Sequence, residues 1–465
     1  MKYNGKIITV MVVICAMFLS LAVYLTYFTL FDATEVVENK FNKRIREREE
    51  SILRGSIFDS SGEVLAYSSM EGNKQKRYYP YSGRYAHVIG YNSVTYDKSG
   101  LENTFNDILV KEDPLEEISG FFDMNKEMSK GADLYLTIDN ALTAKAEKLM
   151  GRKNGSVVAL KPKTGEVLCM YSNPTFDPND SALNENFATL SQSENAPFLG
   201  RANQGLYPPG STFKIVTAAA ALEAGVAGNI LDEGEIVIDG YVVKNYNNKK
   251  LGEIDVKQGF ARSSNVMFAS YGVQIGEKRL KDVASRFGIG ESFDFDIRTS
   301  KSLFNYENAM GQTDLAACGI GQGKLLVTPL NMALVAAAIA NDGVIMEPYI
   351  VEKALYPSGR QAYAAKPNVW KTAVSEAVAS VIESMMIECV ETGTGTGAKL
   401  SGVTVAGKTG TAENEESDKT HAWFVCYAPA ENPEIAICVM QEYAGVTGSN
   451  CAPIARELIT YYLNK

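Results

Sequence analysis

Ser211 and Lys214 stand three residues apart in Pro208-Pro209-Gly210-Ser211-Thr212-Phe213-Lys214, directly before an Ala-rich run. Pro and Gly keep the loop out of the helix, so Ser211 falls at a helix start. Side chains three apart share a helix face, so hydroxyl and amine can touch. A serine hydroxyl is a weak nucleophile without a neighbouring base. Lysine serves as that base only when burial or another cation lowers its pKa. The helix N-terminus also favours a developing oxyanion. Alone the pair is a weak signal, since a chain of this size carries it by chance about once or twice. Two further groups add to it. Ser263-Ser264-Asn265 opens another helix-like run, Val266 to Gly272, where Ser and Asn serve well as N-caps. A cap and a catalytic hydroxyl are compatible roles. Lys408-Thr409-Gly410-Thr411 ends a strand of Val and Thr. Its Lys and Thr supply donors for a carboxylate, and Gly410 lets the backbone approach a ligand closely.

Both shorter groups have decoys. Lys163-Thr164-Gly165 repeats the K-T-G pattern, but its flanking Pro162 marks a hairpin turn. Ser193-Glu194-Asn195 repeats S-x-N in a polar loop before the nucleophile. A Ser-His-acid triad is the rival chemistry. The chain has only two histidines, His87 and His421, and only His421 is near a motif. Seven cysteines include no C-x-x-C pair, which gives no signal for a zinc site or a redox motif. Cys426 and Cys438 flank a turn at Ala428 to Pro433, where they either pair across it or stay free and buried.

These residues need elements to hold them. Strands are expected at Leu134 to Ile138, Ser156 to Leu160, Glu166 to Tyr171, Thr404 to Thr409, Ala422 to Tyr427 and Ile435 to Gln441. Helices are expected at Asn140 to Met150, Ile215 to Ala224, Leu330 to Ala340, Val374 to Cys389 and Ala452 to Leu463. Helices clustered between strand groups imply an α+β domain. At 465 residues, two or three domains are expected. Ile7 to Phe31 carries no charge and would run roughly 37 Å as a helix, enough to cross a bilayer. It is too long for a cleaved signal, and no small-x-small site ends it. Lys2 and Lys6 before it place the N-terminus in the cytoplasm and the rest outside. Ala33 to Arg54 follows as an amphipathic helix on the spacing of Val37, Phe41 and Ile45. The expected division is a tail at 1–6, a transmembrane helix at 7–31, a small N-terminal pedestal at 32–139 and a catalytic domain at 140–465. A net charge of −10 argues against nucleic acid as a partner.

Ordered along the chain, S-x-x-K, S-x-N and K-T-G resemble the acyl-serine transferase superfamily of β-lactamases and penicillin-binding proteins. Ser264 stands where the S-D-N pattern has Asp. Gly205 to Gly210, Gly319-Ile320-Gly321-Gln322-Gly323, Thr328-Pro329-Leu330, Gly393-Thr394-Gly395 and His421-Ala422-Trp423-Phe424-Val425 are similar to the same family. Arg54-Gly55-Ser56-Ile57, Asp59 and Gly100-Leu101-Glu102, behind a membrane helix, resemble the class B, monofunctional group.

The resemblance implies an antiparallel sheet with helices on both faces, an all-helical subregion and a pedestal. It implies a D,D-transpeptidase acting on stem peptides, with a D-Ala-D-Ala donor and an amine acceptor, and acylated by β-lactams. Lys214 would deprotonate Ser211. Ser263 and Lys408 would relay a proton to the departing D-Ala, and Asn265 would hold the substrate amide and orient Lys214. Thr409 and Thr411, beside Gly410, would bind the terminal carboxylate. The N–H groups of Ser211 and Thr411 would form the oxyanion hole. Trp423 reads equally as a cleft residue and as core. No metal or organic cofactor is needed for this cycle. A polytopic membrane glycosyltransferase is the implied partner. The alternatives are a membrane-anchored β-lactamase-like hydrolase or penicillin sensor, and an inactive scaffold of a wall-building complex.

Overall fold

The computed structural model describes residues 2–28, 49, 51–72, 74–115, 129–306, 308–414 and 417–465. Helix α1, Lys2–Tyr27, opens the chain, and its Gly5–Tyr27 stretch is long and apolar enough to cross a membrane. None of its apolar window is buried against the protein, which fits a membrane anchor. Most of the amphipathic helix expected at Ala33 to Arg54 lies outside the described residues.

The two main sheets are assembled from segments far apart in sequence. Strands β1 (Ile57–Phe58), β2 (Val64–Glu71), β3 (Lys74–Tyr78) and β4 (Asp133–Leu136) come first. Helix α2 (Asn140–Met150) then leads into β5 (Gly155–Leu160) and β6 (Val167–Asn173), and Lys163-Thr164-Gly165 forms the turn joining those two strands. Late in the chain, β7 (Ala406–Asn414), β8 (Ser417–Ala428) and β9 (Ile435–Gln441) complete an antiparallel sheet in the order β7-β8-β9-β5-β6. Apolar side chains cover both faces of it. On one face α2 and the terminal helix Ala452–Leu463 pack on Val157, Ala159, Phe424 and Ile437. On the other, Val158, Val425, Cys438 and Met440 meet the helix Pro329–Ala340, every residue of which is buried. This is the sandwich of antiparallel sheet and helices expected from the sequence.

Register separates Cys426 from Cys438. Cys426 pairs with Ile437 and Cys438 with Val425. Paired residues share a face and neighbours along a strand do not. The two thiols therefore point to opposite sides, and both are free and buried.

A second sheet joins the pedestal to the catalytic region. In it β3, β2, β1 and β4 are followed by Val351–Leu355 and Gln361–Ala364, a hairpin from the second half of the chain. Under this sheet Glu102, fully buried, accepts Arg54 Nε at 2.5 Å and Arg77 Nε at 2.7 Å. Burial pushes the Glu102 carboxyl up, but the two guanidiniums outweigh it and hold the group below the usual range. The Arg54 and Glu102 stretches, distant in sequence, thus meet as one cluster. Removing one member of a buried ion cluster leaves uncompensated charge. Glu102→Ala is therefore expected to cost about 3–5 kcal/mol. Thermal unfolding of the detergent-solubilised chain checks this, and an unchanged melting temperature would assign the pedestal's stability elsewhere.

Candidate active site

Ser211 lies in a 3-10 turn, Gly210–Phe213, that feeds the helix Lys214–Ala224. In a 3-10 turn residues i and i+3 eclipse, which keeps Ser211 and Lys214 on one side. Two glycines set the turn. Gly210 has φ +52, a left-handed conformation, and a Cβ there would meet Thr411 O at 2.6 Å. Gly321, φ +79, lies so close that its Cβ would meet Gly210 O at 1.9 Å. Gly210 N–H donates to Gly321 O at 2.9 Å. The nucleophile loop, the Gly319–Gly323 loop and the K-T-G strand therefore touch backbone to backbone.

Lys214 is fully buried. Its Nζ donates to Ser263 O at 2.9 Å, Asn265 Oδ1 at 2.8 Å and Ser263 Oγ at 3.3 Å. Those three bonds use all the donors of an ammonium. No hydrogen bond joins Nζ to Ser211 Oγ among the described residues, so the contact expected from spacing alone is replaced by a link to the second motif. Ser211 itself is half-buried. Ser263 has φ +59, and this left-handed kink presents its carbonyl as well as its hydroxyl to Lys214. Ser264 caps the helix Asn265–Ile275, accepting from Met267 N–H at 3.0 Å. The cap and the polar corner thus coexist on adjacent residues.

Lys408 enters from β7. Its Nζ donates to Ser263 Oγ at 3.0 Å and Thr409 O at 3.1 Å. Ser263 Oγ therefore lies between two amines. Burial lowers the Lys214 pKa well below the lysine range, and the neighbouring Lys408 charge lowers it further. Burial also lowers Lys408.

Thr409 and Thr411 lie on the same strand. Thr409 Oγ1 shares a hydrogen bond of 2.5 Å with Thr394 Oγ1, and Thr411 Oγ1 accepts from Gly448 N–H at 3.2 Å. Gly410 packs on the nucleophile loop, where a Cβ would meet Pro209 O at 2.9 Å. Trp423 pairs with Gly410 across the strands but is fully buried, its ring edge on Tyr207 at 6.3 Å. It packs beneath the strand and does not face the cleft. His421 is also inside, its Nδ1 accepting from Tyr443 N–H at 3.3 Å, away from the Ser263 corner.

Three motifs separated by about 50 and about 145 residues thus converge on one hydroxyl. Residues 155–460 match the penicillin binding protein transpeptidase domain, and residues 54–134 match the penicillin binding protein A dimerisation domain. The chain is a class B penicillin-binding protein. It is 32% identical to the peptidoglycan D,D-transpeptidase PbpA of Mycolicibacterium smegmatis, over 99% of each chain. It is 30% identical to the PbpA of Mycobacterium tuberculosis, over 98% of each. The imipenem acyl-enzyme complex of M. tuberculosis penicillin-binding protein A superposes with a TM-score of 0.84 at 30% identity. That alignment covers 89% of this chain and 99% of that one.

Some members of this penicillin-binding protein's site carry no motif signal. Asp232 and Asn245 stand behind Ser264 and Asn265 and belong to none of the three patterns. Gly448 reaches Thr411 from a loop after β9. Thr394, by contrast, lies in Gly393-Thr394-Gly395, a stretch already similar to the family. The tightest backbone contact gives a direct check. Gly321→Ala forces a methyl onto Gly210 O and strains a left-handed residue. Its acylation rate by a β-lactam is expected to fall at least about tenfold, by disturbing the placement of the nucleophile. A rate equal to the parent's would show that the Gly319–Gly323 loop does not position Ser211.

Proposed function

We propose that the chain is a peptidoglycan D,D-transpeptidase in which Ser211 is the nucleophile and Lys214 the general base. The observation that carries this reading is the buried Lys214 amine, held between Ser263 and Asn265 with its pKa lowered by burial and then by Lys408. A neutral Lys214 takes the Ser211 proton as Oγ attacks the carbonyl of a terminal D-Ala-D-Ala. The N–H groups of Ser211 and Thr411 receive the oxyanion, where preorganised donors are worth several kcal/mol. Ser263, bonded to both amines, passes a proton to the departing D-Ala nitrogen, and Lys408 supports it. The peptide bond breaks as the Ser211 ester forms. Thr409 and Thr411 bind the terminal carboxylate, and Asn265 holds the substrate amide. An amine of a second stem peptide then attacks the ester and restores Ser211. β-Lactams enter by the same first step and stay as the acyl-enzyme.

In this reading the catalytic domain spans 140–465 and the pedestal 32–139. The apolar N-terminal helix anchors both in the membrane, with residues 1–6 in the cytoplasm and the active site outside. A polytopic membrane glycosyltransferase is the partner that would supply the glycan strands.

Arginine separates a base from a fixed cation, because it stays protonated in proteins. The acylation rate of the parent by penicillin is expected to rise with pH as Lys214 loses its proton, then level off. The neutral form is the active one, and burial brings it into range at lower pH. Lys214→Arg is expected to lose about 10²–10⁴-fold, nearly as much as Lys214→Ala. Ser211→Ala should leave no adduct by mass spectrometry. An arginine variant within a few-fold of the parent would remove Lys214 from the base role.

A further inference from the structure

Behind the Ser263-Asn265 corner lies a carboxylate that the cycle above does not use. Asp232 ends a short strand, Ile230–Asp232, and is 0% exposed. Its Oδ1 accepts from Gly234 N–H at 2.9 Å and from Asn245 Nδ2 at 2.7 Å. Its Oδ2 accepts from Asn245 Nδ2 at 2.9 Å and from Ser264 Oγ at 2.5 Å. Every contact is a donor, which suits an acceptor-only group.

Asn245 carries the connection forward. Its Oδ1 accepts the backbone N–H of Asn265 at 2.8 Å and of Val266 at 3.3 Å. Backbone N–H groups are donors only, so they fix which way the Asn245 amide points, and Nδ2 must face Asp232. Asn265 then donates from Nδ2 to Lys244 O at 2.8 Å and accepts Lys214 Nζ on Oδ1 at 2.8 Å. A continuous chain runs from Asp232 through Asn245 and Asn265 to Lys214. Ser264 has a place in it as well. Where the S-D-N pattern carries an acid inside the motif, this chain carries a hydroxyl there and receives its carboxylate from another strand.

Charge makes a second link. The groups around Lys214 are Lys408 from β7, Asp232 from its own short strand, and the uncharged Ser263, Asn265 and Phe268 ring, the last at 5.5 Å. Beyond Lys408 stands the Cys389 thiol. Among the described residues Asp232 is the anion that acts on Lys214, and it opposes the combined effect of burial and Lys408.

We propose that Asp232 is a positioning residue for acylation, which fixes Asn265 through Asn245 and sets a carboxylate behind Lys214. This rests on the roles assigned above to Ser211 and Lys214. Without that charge the site would hold Asn265 loosely and bias Lys214 further toward the neutral amine.

The test is the second-order rate of acylation of the full chain in detergent by benzylpenicillin, followed across pH by mass spectrometry. Asp232→Asn keeps the shape, loses the charge and sets an amide donor against Asn245 Nδ2. Its plateau rate is expected to fall about 10- to 100-fold, as for a buried partner left unsatisfied. Its rising limb is expected to move to lower pH, because removing an anion favours the neutral amine. A residue that only packs would lower the plateau without moving the limb, and that result overturns the proposal. So does a plateau equal to the parent's. Ser264→Ala keeps the carboxylate but removes both the donor to Asp232 and the cap on Met267 N–H, so its plateau should fall about 3- to 10-fold with the limb in place. Should Asp232→Asn not fold, Asp232→Ser, which is also neutral, carries the test on the same two readouts, and a parental plateau or an unmoved limb overturns the proposal. A parent unlabelled at Ser211 defeats the transpeptidase reading itself and this inference with it. A labelled parent with unaffected variants defeats this inference alone.

Discussion

Two buried amines share one hydroxyl, and the rest of the site is arranged around that constraint. Ser263 Oγ receives Lys214 Nζ at 3.3 Å and Lys408 Nζ at 3.0 Å. A hydroxyl oxygen has two lone pairs, so it can accept from both. Two ammonium charges this close in a buried setting repel strongly, since little solvent screens them. The tension is relieved when Lys214 gives up its proton. Ser263 then turns its own hydrogen toward the free lone pair of Lys214 and still accepts from Lys408. A single rotor thus links the protonation of one lysine to the hydrogen bonding of the other. Burial and the neighbouring Lys408 both push Lys214 toward the neutral amine.

Holding that arrangement requires backbone that ordinary residues resist. Ser263 has φ +59 although it carries a side chain, a conformation uncommon outside Gly, Asn and Asp. The surrounding contacts hold it there, with Ser264 N–H on Gly259 O at 2.8 Å and Lys214 on its carbonyl at 2.9 Å. Glycine serves where strands and loops must meet closer than any Cβ permits. At Gly448 an added Cβ would come within 2.4 Å of Gly410 O. Strain such as that at Ser263, of order 1–3 kcal/mol, collects where geometry matters to chemistry. The extensive core on both faces of the sheet is what makes it tolerable.

Most of the framework was legible in the chain. Every strand and helix expected from Leu134 onward is present, with ends displaced by a few residues. Asn140–Met150, Ile435–Gln441 and Ala452–Leu463 begin and end where periodicity placed them. The candidate catalytic side chains were legible because each lies in a short local pattern with turn or cap chemistry of its own. What stayed hidden depends on three-dimensional approach. Nothing near Asp232 distinguishes it from the many other acids, and its role exists only because a hairpin brings Asn245 beside it. The shared pedestal sheet was hidden for the same reason, since Val351–Leu355 pairs with β4 across nearly half the chain. Spacing alone also placed Lys214 on Ser211, whereas folding brings a better set of acceptors to the amine from Ser263 and Asn265. A local pattern identifies which groups can meet, and tertiary competition decides which of them do.

Register is the last condition, and it explains why Trp423 belongs inside. Along β7, Lys408 pairs with Val425 and Thr409 with Phe424, so their side chains leave on opposite faces. Lys408 turns to Ser263, and Thr409 turns to Thr394. A slip of one residue would exchange these faces and remove the amine from the site. Apolar burial on both faces of β8 does not by itself forbid that slip, because Ala422 to Ala428 are all buried and either face is apolar. Gly410 supplies the missing discrimination. It stands opposite Trp423, where an added Cβ would already approach the indole-bearing Cβ at 3.1 Å and the nucleophile loop at 2.9 Å. A side chain at Gly410 would also meet Thr212 Cγ2 at 2.9 Å, so it forces the tryptophan or the loop to shift. The Trp423–Gly410 pair thus fixes the register that puts Lys408 on the same hydroxyl as Lys214, and a residue outside the cleft sets the geometry within it.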